Sequence, residues 1–228
     1  MKARLVHSRE IAPNTRHFVF SSPEWNAAFV PGQFVSLTQQ IGDDEVTRAY
    51  SIASAPEGPE FELCANKVPE GRFSPFLFDL QPGDEIDFKG PYGGFILRRG
   101  AGESIMVATG TGVAPFRSML RAGLREYPEQ KFTLIFGVRH EEGLLYHAEF
   151  QDLARTYGNF DYQPTLTRPG EPWQGGRGRV QAHVLEALGA RRGVNIYICG
   201  LREMVDDLRA QLKGIGVDRK NLIYEKYD

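Results

Sequence analysis

The chain has 228 residues, 41% hydrophobic and 25% charged, with a formal net charge of -2. That is the composition of a globular protein of one large or two small domains, at roughly 100–200 residues each, and it argues against a dedicated nucleic-acid binder. No run of about 20 apolar residues offers a membrane span, and the opening MKARLVHSRE lacks the apolar run of a signal peptide. Cys64 and Cys199 are the two cysteines, too few for an iron–sulfur or zinc site, which takes about four ligands. No metal is expected, and reduced thiols in the cytoplasm are the default.

Residues 1 to about 99 read as short strands separated by turn chemistry: 3–11, 16–20, 33–38, 46–52, 61–65 and 85–88. Pro31-Gly32 and Pro82-Gly83-Asp84 mark turns before two of them. Six such strands with little helical pattern predict a small antiparallel six-stranded β-barrel, with one helical turn near 74–79. The pattern changes after the polar stretch Arg98-Arg99-Gly100-Ala101-Gly102. Buried strands at 104–108, 132–136, 160–165, 194–199 and 222–224 then alternate with helices at 113–127, 145–157, 181–188 and 203–215. The first helix carries its apolar stripe at Val113, Phe116, Leu120, Leu124 and Tyr127. This predicts an α/β doubly wound, five-stranded parallel sheet that binds nucleotides at the carboxyl ends of its strands. The expected domains are 1–99 and 100–228.

Several groups on this frame point to chemistry. Arg48-Ala49-Tyr50-Ser51 puts a permanent cation, a flat aromatic and a small hydroxyl on one strand. Those side chains suit the phosphates, ring face and ring edge of a flavin dinucleotide. Gly71-Arg72-Phe73-Ser74 offers a tight turn in which Ser74 caps a helix whose amides face a pyrophosphate, or an ordinary cap with a surface arginine. Thr109-Gly110-Thr111-Gly112-Val113-Ala114-Pro115 follows the first parallel strand and opens a helix. Its glycines admit close backbone approach, and free amides at a helix start attract phosphate by roughly 0.3–1 kcal/mol. The plain alternative is a strand-to-helix turn. Cys199-Gly200-Leu201-Arg202 closes the fourth parallel strand, where a side chain points into the ligand crevice or packs as a small hydrophobe. Arg168, Arg177 and Arg179 surround Trp173 in a loop that is either solvated or a pocket for an extra phosphate. Glu225 and Tyr227 end the last strand, frayed or reaching the crevice.

As an ordered set these motifs resemble the ferredoxin–NADP reductase family over essentially the whole chain. The resemblance implies that Arg48 binds the flavin pyrophosphate, Tyr50 stacks on the isoalloxazine and Ser51 bonds near the hydride-accepting nitrogen. It implies that Cys64, Ala65 and Asn66 run beside the flavin, and that Gly71, with Arg72, Phe73 and Ser74, forms the pyrophosphate turn. Thr109, Gly110, Thr111, Gly112 and Pro115 match the nicotinamide-nucleotide turn. Cys199, followed by Gly200 and Leu201, matches the cysteine beside the reacting nicotinamide carbon. Glu225 resembles a proton-relaying acid and Tyr227 the aromatic that covers the flavin. Many relatives end on that aromatic, whereas Asp228 follows it here.

The expected activity is flavoprotein oxidoreduction, with hydride passing between NADP(H) and FAD and electrons exchanged with an external carrier such as ferredoxin or flavodoxin. Thr167-Arg168 and Gly178-Arg179 resemble the ribose-phosphate site of the bacterial ferredoxin–NADP reductases. Val138-Arg139-His140 follows the second parallel strand where an acidic side chain would suggest a ribose hydroxyl partner. NADP(H) is therefore favoured over NAD(H), and FAD over FMN. The alternatives are the reductase component of an oxygenase, a free flavin or ferric reductase, an electron-transfer subunit of a larger complex, and a non-catalytic binding module.

Overall fold

The computed structural model describes residues 1–25, 28–100 and 102–227. Asp228, where the sequence departs from many relatives, lies outside the described residues. The chain forms two compact units, Met1–Leu97 with Ala114–Ala122, and Arg98–Val113 with Gly123–Asp228.

The first unit contains β1 (Lys2–Ala12), β2 (Thr15–Ser21), β3 (Phe34–Ile41), β4 (Asp44–Ser51), β5 (Glu60–Asn66), helix α1 (Phe73–Asp79) and β6 (Glu85–Tyr92). The strands form one six-stranded sheet in the order β4-β3-β6-β1-β2-β5, and every pairing in it is antiparallel. Its two outer strands meet just past β4, where Ile52 bridges to Leu63 and the Ala53 N–H donates to the Glu62 carbonyl at 2.7 Å. The sheet thus curls onto itself as the six predicted strands require. Turn chemistry sets the register before β6. The Gln81 N–H donates to the Asp84 carboxylate at 2.8 Å, and Gly83 takes a φ of +100°, which only glycine adopts at little cost. Phe18, Phe20, Phe61 and Phe88 fill the interior with Leu5, Leu37 and Leu63; the Phe61 and Phe88 ring centroids lie 5.1 Å apart. Such aromatic pairs add about 0.5–1.5 kcal/mol each beyond their burial.

The second unit contains β7 (Glu103–Thr109), α2 (Ala114–Glu126, of which Ala114–Ala122 packs with the first unit), β8 (Lys131–Val138), α3 (His147–Thr156), β9 (Phe160–Leu166), β10 (Gly176–Arg177), α4 (Val180–Leu188), β11 (Asn195–Leu201), α5 (Arg202–Gly214) and β12 (Leu222–Tyr227). The sheet order is β10-β9-β8-β7-β11-β12, with all pairings parallel. Six strands stand where five are expected from sequence. The extra one, β10, is two residues long, pairs Gly176 with Thr165 and Arg177 with Leu166 through backbone alone, and carries no apolar run to announce it. The third helix starts two residues later than its apolar stripe suggests, because Tyr146 sits in the left-handed region with φ 56°. The last strand runs on to Tyr227, so Glu225 and Tyr227 belong to the sheet and are not frayed. Ile105, Val107, Ile196, Ile198, Val184 and Leu208 form the core between these strands, α4 and α5. No helix among the described residues is long and apolar enough to cross a membrane.

Candidate functional site

In the first unit, β4 carries the Arg48-Ala49-Tyr50-Ser51 motif opposite Leu37, Ser36, Val35 and Phe34 of β3. Strand alternation turns Tyr50 toward the same side as the core residues Val46 and Ile52, where it packs at 6.1 Å from the Phe73 ring of α1. Burial pushes the Tyr50 phenol up to about 12 against the opposing charge of Arg48, so it stays neutral. Arg48 is exposed, and its Nη1 donates to the Thr47 carbonyl at 2.8 Å. Ser51 is buried. On β5, Cys64 and Ala65 are buried beside β2, and Asn66 is exposed with its Oδ1 accepting from the Thr15 hydroxyl at 3.2 Å.

The turn before α1 differs from its sequence reading. Ser74 does not cap the helix: the cap position is Arg72, in helical geometry, with no side-chain cap. Ser74 lies inside the first turn. Its hydroxyl accepts from the Val68 N–H at 2.9 Å and donates to the Val68 carbonyl at 3.3 Å, closing the loop beneath Gly71. Arg72 spends its fork on the β3–β4 hairpin, bonding Asp44 at 2.6 Å and the Ile41 carbonyl at 2.8 Å.

In the second unit, strand order reverses between β8 and β11 on either side of β7. A doubly wound sheet opens its ligand crevice at that switch point. The structure brings Thr109, Gly110, Thr111 and Gly112 together there with Cys199, Gly200 and Leu201. Gly110 takes φ +54°, with open space where its Cβ would be. Gly112 and Gly200 serve the chain itself. A Cβ on Gly112 would meet the Cys199 carbonyl oxygen at 2.5 Å, and one on Gly200 the Thr109 Oγ1 at 2.2 Å. Pro115 sits in the first turn of α2, which has no side-chain cap. Cys199 is fully buried, opposite Glu225 of β12. Burial pushes its thiol well up, the Glu225 charge adds to this, and a hydrogen bond from the Tyr227 side chain opposes it in part.

The arginines gather at the carboxyl ends of β8, β9 and β10. Thr167 N–H donates to Val138 carbonyl at 3.0 Å, and Arg168 N–H to Arg139 carbonyl at 2.8 Å. The Thr165 hydroxyl donates to the Gly178 carbonyl at 2.9 Å, tying Arg179 to the same edge. Arg139, Arg168 and Arg179 are exposed. Arg177 is exposed as well, with its Nη2 donating to the Trp173 carbonyl at 2.9 Å.

Residues 2–96 match the oxidoreductase FAD-binding domain family, and residues 106–210 the oxidoreductase NAD-binding domain family. The chain is 42% identical to ferredoxin–NADP reductase B of Sorangium cellulosum over 237 residues, covering 100% of this chain and 97% of that protein. The chain belongs to the ferredoxin–NADP reductase family. As a member of that family it is an FAD-dependent NAD(P)H oxidoreductase that exchanges electrons with an external carrier. It is also 31% identical to the toluate 1,2-dioxygenase electron transfer component of Pseudomonas putida, over 99% of this chain and 67% of that one. Among solved structures it is similar to the Amycolatopsis cytochrome P450 reductase GcoB, with a TM-score of 0.91 at 27% identity over 99% of this chain and 69% of that one.

The donor set of this ferredoxin–NADP reductase family member fits both cofactors. A neutral half-buried phenol, a small hydroxyl and an outward guanidinium share β4, matching a flavin's ring and phosphates. In the second unit the Thr109 hydroxyl oxygen is buried without a partner at the switch point, beside the uncapped start of α2. Exposed guanidiniums at the sheet edge have the charge and geometry that a phosphorylated nucleotide needs.

Sequence reasoning missed a buried charged cluster in the first unit. Arg117 is 5% exposed and bonds the Glu62 carboxylate, with His17 Nε2 3.8 Å from the same group. The signal was available: Arg117 stands on the apolar stripe of α2, four residues after Val113 and three before Leu120, and a charge there requires a buried partner. Glu62 carries no such signal, since alternation on β5 gives it the face opposite Phe61 and Leu63.

Proposed function

We propose that this chain is a ferredoxin–NADP reductase, using FAD and preferring NADP(H), with ferredoxin or flavodoxin as its carrier in the cytoplasm. The FAD-binding domain is assigned to residues 1–99 and the nucleotide-binding domain to 100–228. The observation that carries the NADP(H) preference is the gathering of Arg139, Thr167, Arg168 and Arg179 along one sheet edge. Charge-assisted bonds there contribute about 1.5–3 kcal/mol each toward a ribose phosphate.

When bound, FAD and the nicotinamide nucleotide supply the redox chemistry, and the flavin allows electrons to leave singly. The protein supplies binding, orientation and charge. Arg48 holds the flavin pyrophosphate, together with the turn at Gly71, Arg72, Phe73 and Ser74. Tyr50 presents its ring to the isoalloxazine, and Ser51 donates to the ring edge. Cys64, Ala65 and Asn66 line the flavin. The amides at Thr109, Gly110, Thr111 and Gly112, with Pro115 fixing the helix start, hold the nucleotide phosphates. Arg168 and Arg179 hold the ribose phosphate, with Thr167 and Arg139 beside them, and Arg177 braces their loop. Cys199, as a neutral thiol on the Gly200-Leu201 turn, orients the nicotinamide and does not attack it. Glu225 and Tyr227, side by side at the end of β12, take the acid and aromatic roles that the family resemblance gives them.

The test is an anaerobic acceptor screen with NADPH as donor. Ferredoxin or flavodoxin is expected to be reduced fastest, with rates that fall as salt rises, because acidic carriers dock by charge. The 31% identity to the toluate 1,2-dioxygenase component favours a second reading, a reductase serving an oxygenase. Selective reduction of an oxygenase's iron–sulfur protein would establish that reading instead.

A further inference from the structure

Ala53 lies two residues past the Arg48-Ala49-Tyr50-Ser51 motif, and both of its backbone polar groups are held by residues outside every cofactor motif. Its N–H donates to the Glu62 carbonyl at 2.7 Å, and its carbonyl accepts from Arg117 Nη1 at 2.9 Å. The same arginine nitrogen donates to the Glu62 carboxylate. The neighbours are clamped as well. Ile52 N–H donates to the Gln33 carbonyl at 3.0 Å, and Glu62 N–H donates to the Ser54 hydroxyl at 3.2 Å. Residues 51–55 are all buried.

A cation on the apolar stripe of a helix is an expensive way to hold a helix against a sheet. A hydrophobic residue of similar size would pack there without desolvating two charges. What a hydrophobic residue cannot do is donate to a buried carbonyl. We propose that Arg117 is a positioning residue: with Glu62 it fixes the backbone of residues 51–54 and so aims the Ser51 hydroxyl at the flavin edge. This rests on the reading of Ser51 as the donor to that edge. In this role Arg117 acts through the Ala53 carbonyl.

The test uses FAD-loaded protein carrying Arg117→Lys. Lysine keeps the charge beside Glu62, so the fold is spared a stranded carboxylate, but its shorter arm does not serve both acceptors. Amide hydrogen exchange over residues 51–55 is expected to quicken about tenfold while the rest of the barrel is unchanged. The visible circular dichroism of the bound FAD is expected to change, and flavin reduction by NADPH to slow about tenfold. FAD content and the NADPH dissociation constant hold. The double variant Arg117→Met with Glu62→Leu removes the pair without leaving either charge alone and is expected to show the same pattern. Parent-like exchange and reduction in either folded variant overturns the proposal. Failure of both variants to fold also overturns it, because Arg117 is then a folding residue. Ser51→Ala run in parallel separates the two assignments. If it slows reduction and Arg117→Lys does not, only the clamp fails; if Ser51→Ala reduces at the parent rate, the flavin-edge reading of Ser51 fails, and the aiming role falls with it.

Discussion

The Tyr227 side chain hydrogen-bonds the sulfur of Cys199, linking the carboxyl ends of two neighbouring parallel strands. Burial and the Glu225 charge outweigh that bond and keep the thiol protonated at neutral pH. A thiol in that state is a poor nucleophile and a good neutral surface. Alkylation at pH 8 followed by mass spectrometry is expected to leave both cysteines unmodified in the folded protein and to modify both after denaturation. Rapid labelling of folded Cys199 would show a thiolate there and contradict its role as a neutral surface for the nicotinamide.

Two glycines at the switch point are fixed by the chain's own backbone. Gly112→Ala sets a methyl against the Cys199 carbonyl, and Gly200→Ala sets one against Thr109 at a φ of +150°. Each is expected to destabilise the second unit by about 1–3 kcal/mol and to shift the turn that follows β7. Thermal melting checks this. A parent-like melt for Gly200→Ala would mean that the strand ends separate more easily than their packing implies.

The outline of the fold was legible because burial writes itself in periodicity: six alternating strands, then apolar strands alternating with helical stripes. The paired backbone of Gly176 and Arg177 wrote nothing, since a two-residue strand buries no apolar face. The candidate residues were legible wherever chemistry sits in contiguous motifs, as at Arg48, Tyr50 and Ser51. Ser74 misled because a serine near a helix start reads as a cap, and only the path of the loop shows its hydroxyl turned back to Val68. Arg177 looked equal to Arg168 in sequence and is exposed like it, and only the path of its loop shows the bond it makes to the Trp173 carbonyl. Glu62 and Arg117 lie 55 residues apart, a distance no local pattern spans.

Stability should depend on pH through His17. Burial lowers its pKa from 6.5 to about 4; Glu62 pulls the other way, and Arg117, Arg9 and His7 add to the lowering. The imidazole is therefore neutral at pH 7, and its 3.8 Å approach to Glu62 is not an ion pair. The unfolded chain binds a proton near pH 6.5 that the folded chain refuses until about 4, so stability falls as pH drops through that window and levels off below it. The loss is at most about 3 kcal/mol. Burial pushes the Glu62 carboxyl up, but the charge and hydrogen bond of Arg117, with His17 and Arg121, hold it below its ordinary value; its contribution is lost at lower pH still. Denaturant melts of parent and His17→Gln between pH 7 and 4 are expected to converge as pH falls. A constant gap between them would contradict this.

Arg168→Ala should raise the KM for NADPH by tenfold or more, from the loss of about 1.5–3 kcal/mol, while changing that for NADH little. Arg177→Ala should act more weakly and in part on loop order, because one of its guanidinium nitrogens is engaged by the Trp173 carbonyl. Steady-state kinetics with both nucleotides checks this, and equal effects of Arg168→Ala on the two would remove the ribose-phosphate role.

The most direct test is the anaerobic visible spectrum of the purified protein, recorded before and after stoichiometric NADPH and, in parallel, NADH. A yellow protein bleached faster by NADPH is the predicted result, joining the flavin on β4, the nucleotide turn after β7 and the arginine edge in one observation. A protein bleached faster by NADH would contradict the cofactor preference, and one that neither takes up FAD nor reacts with either nucleotide would contradict the account as a whole.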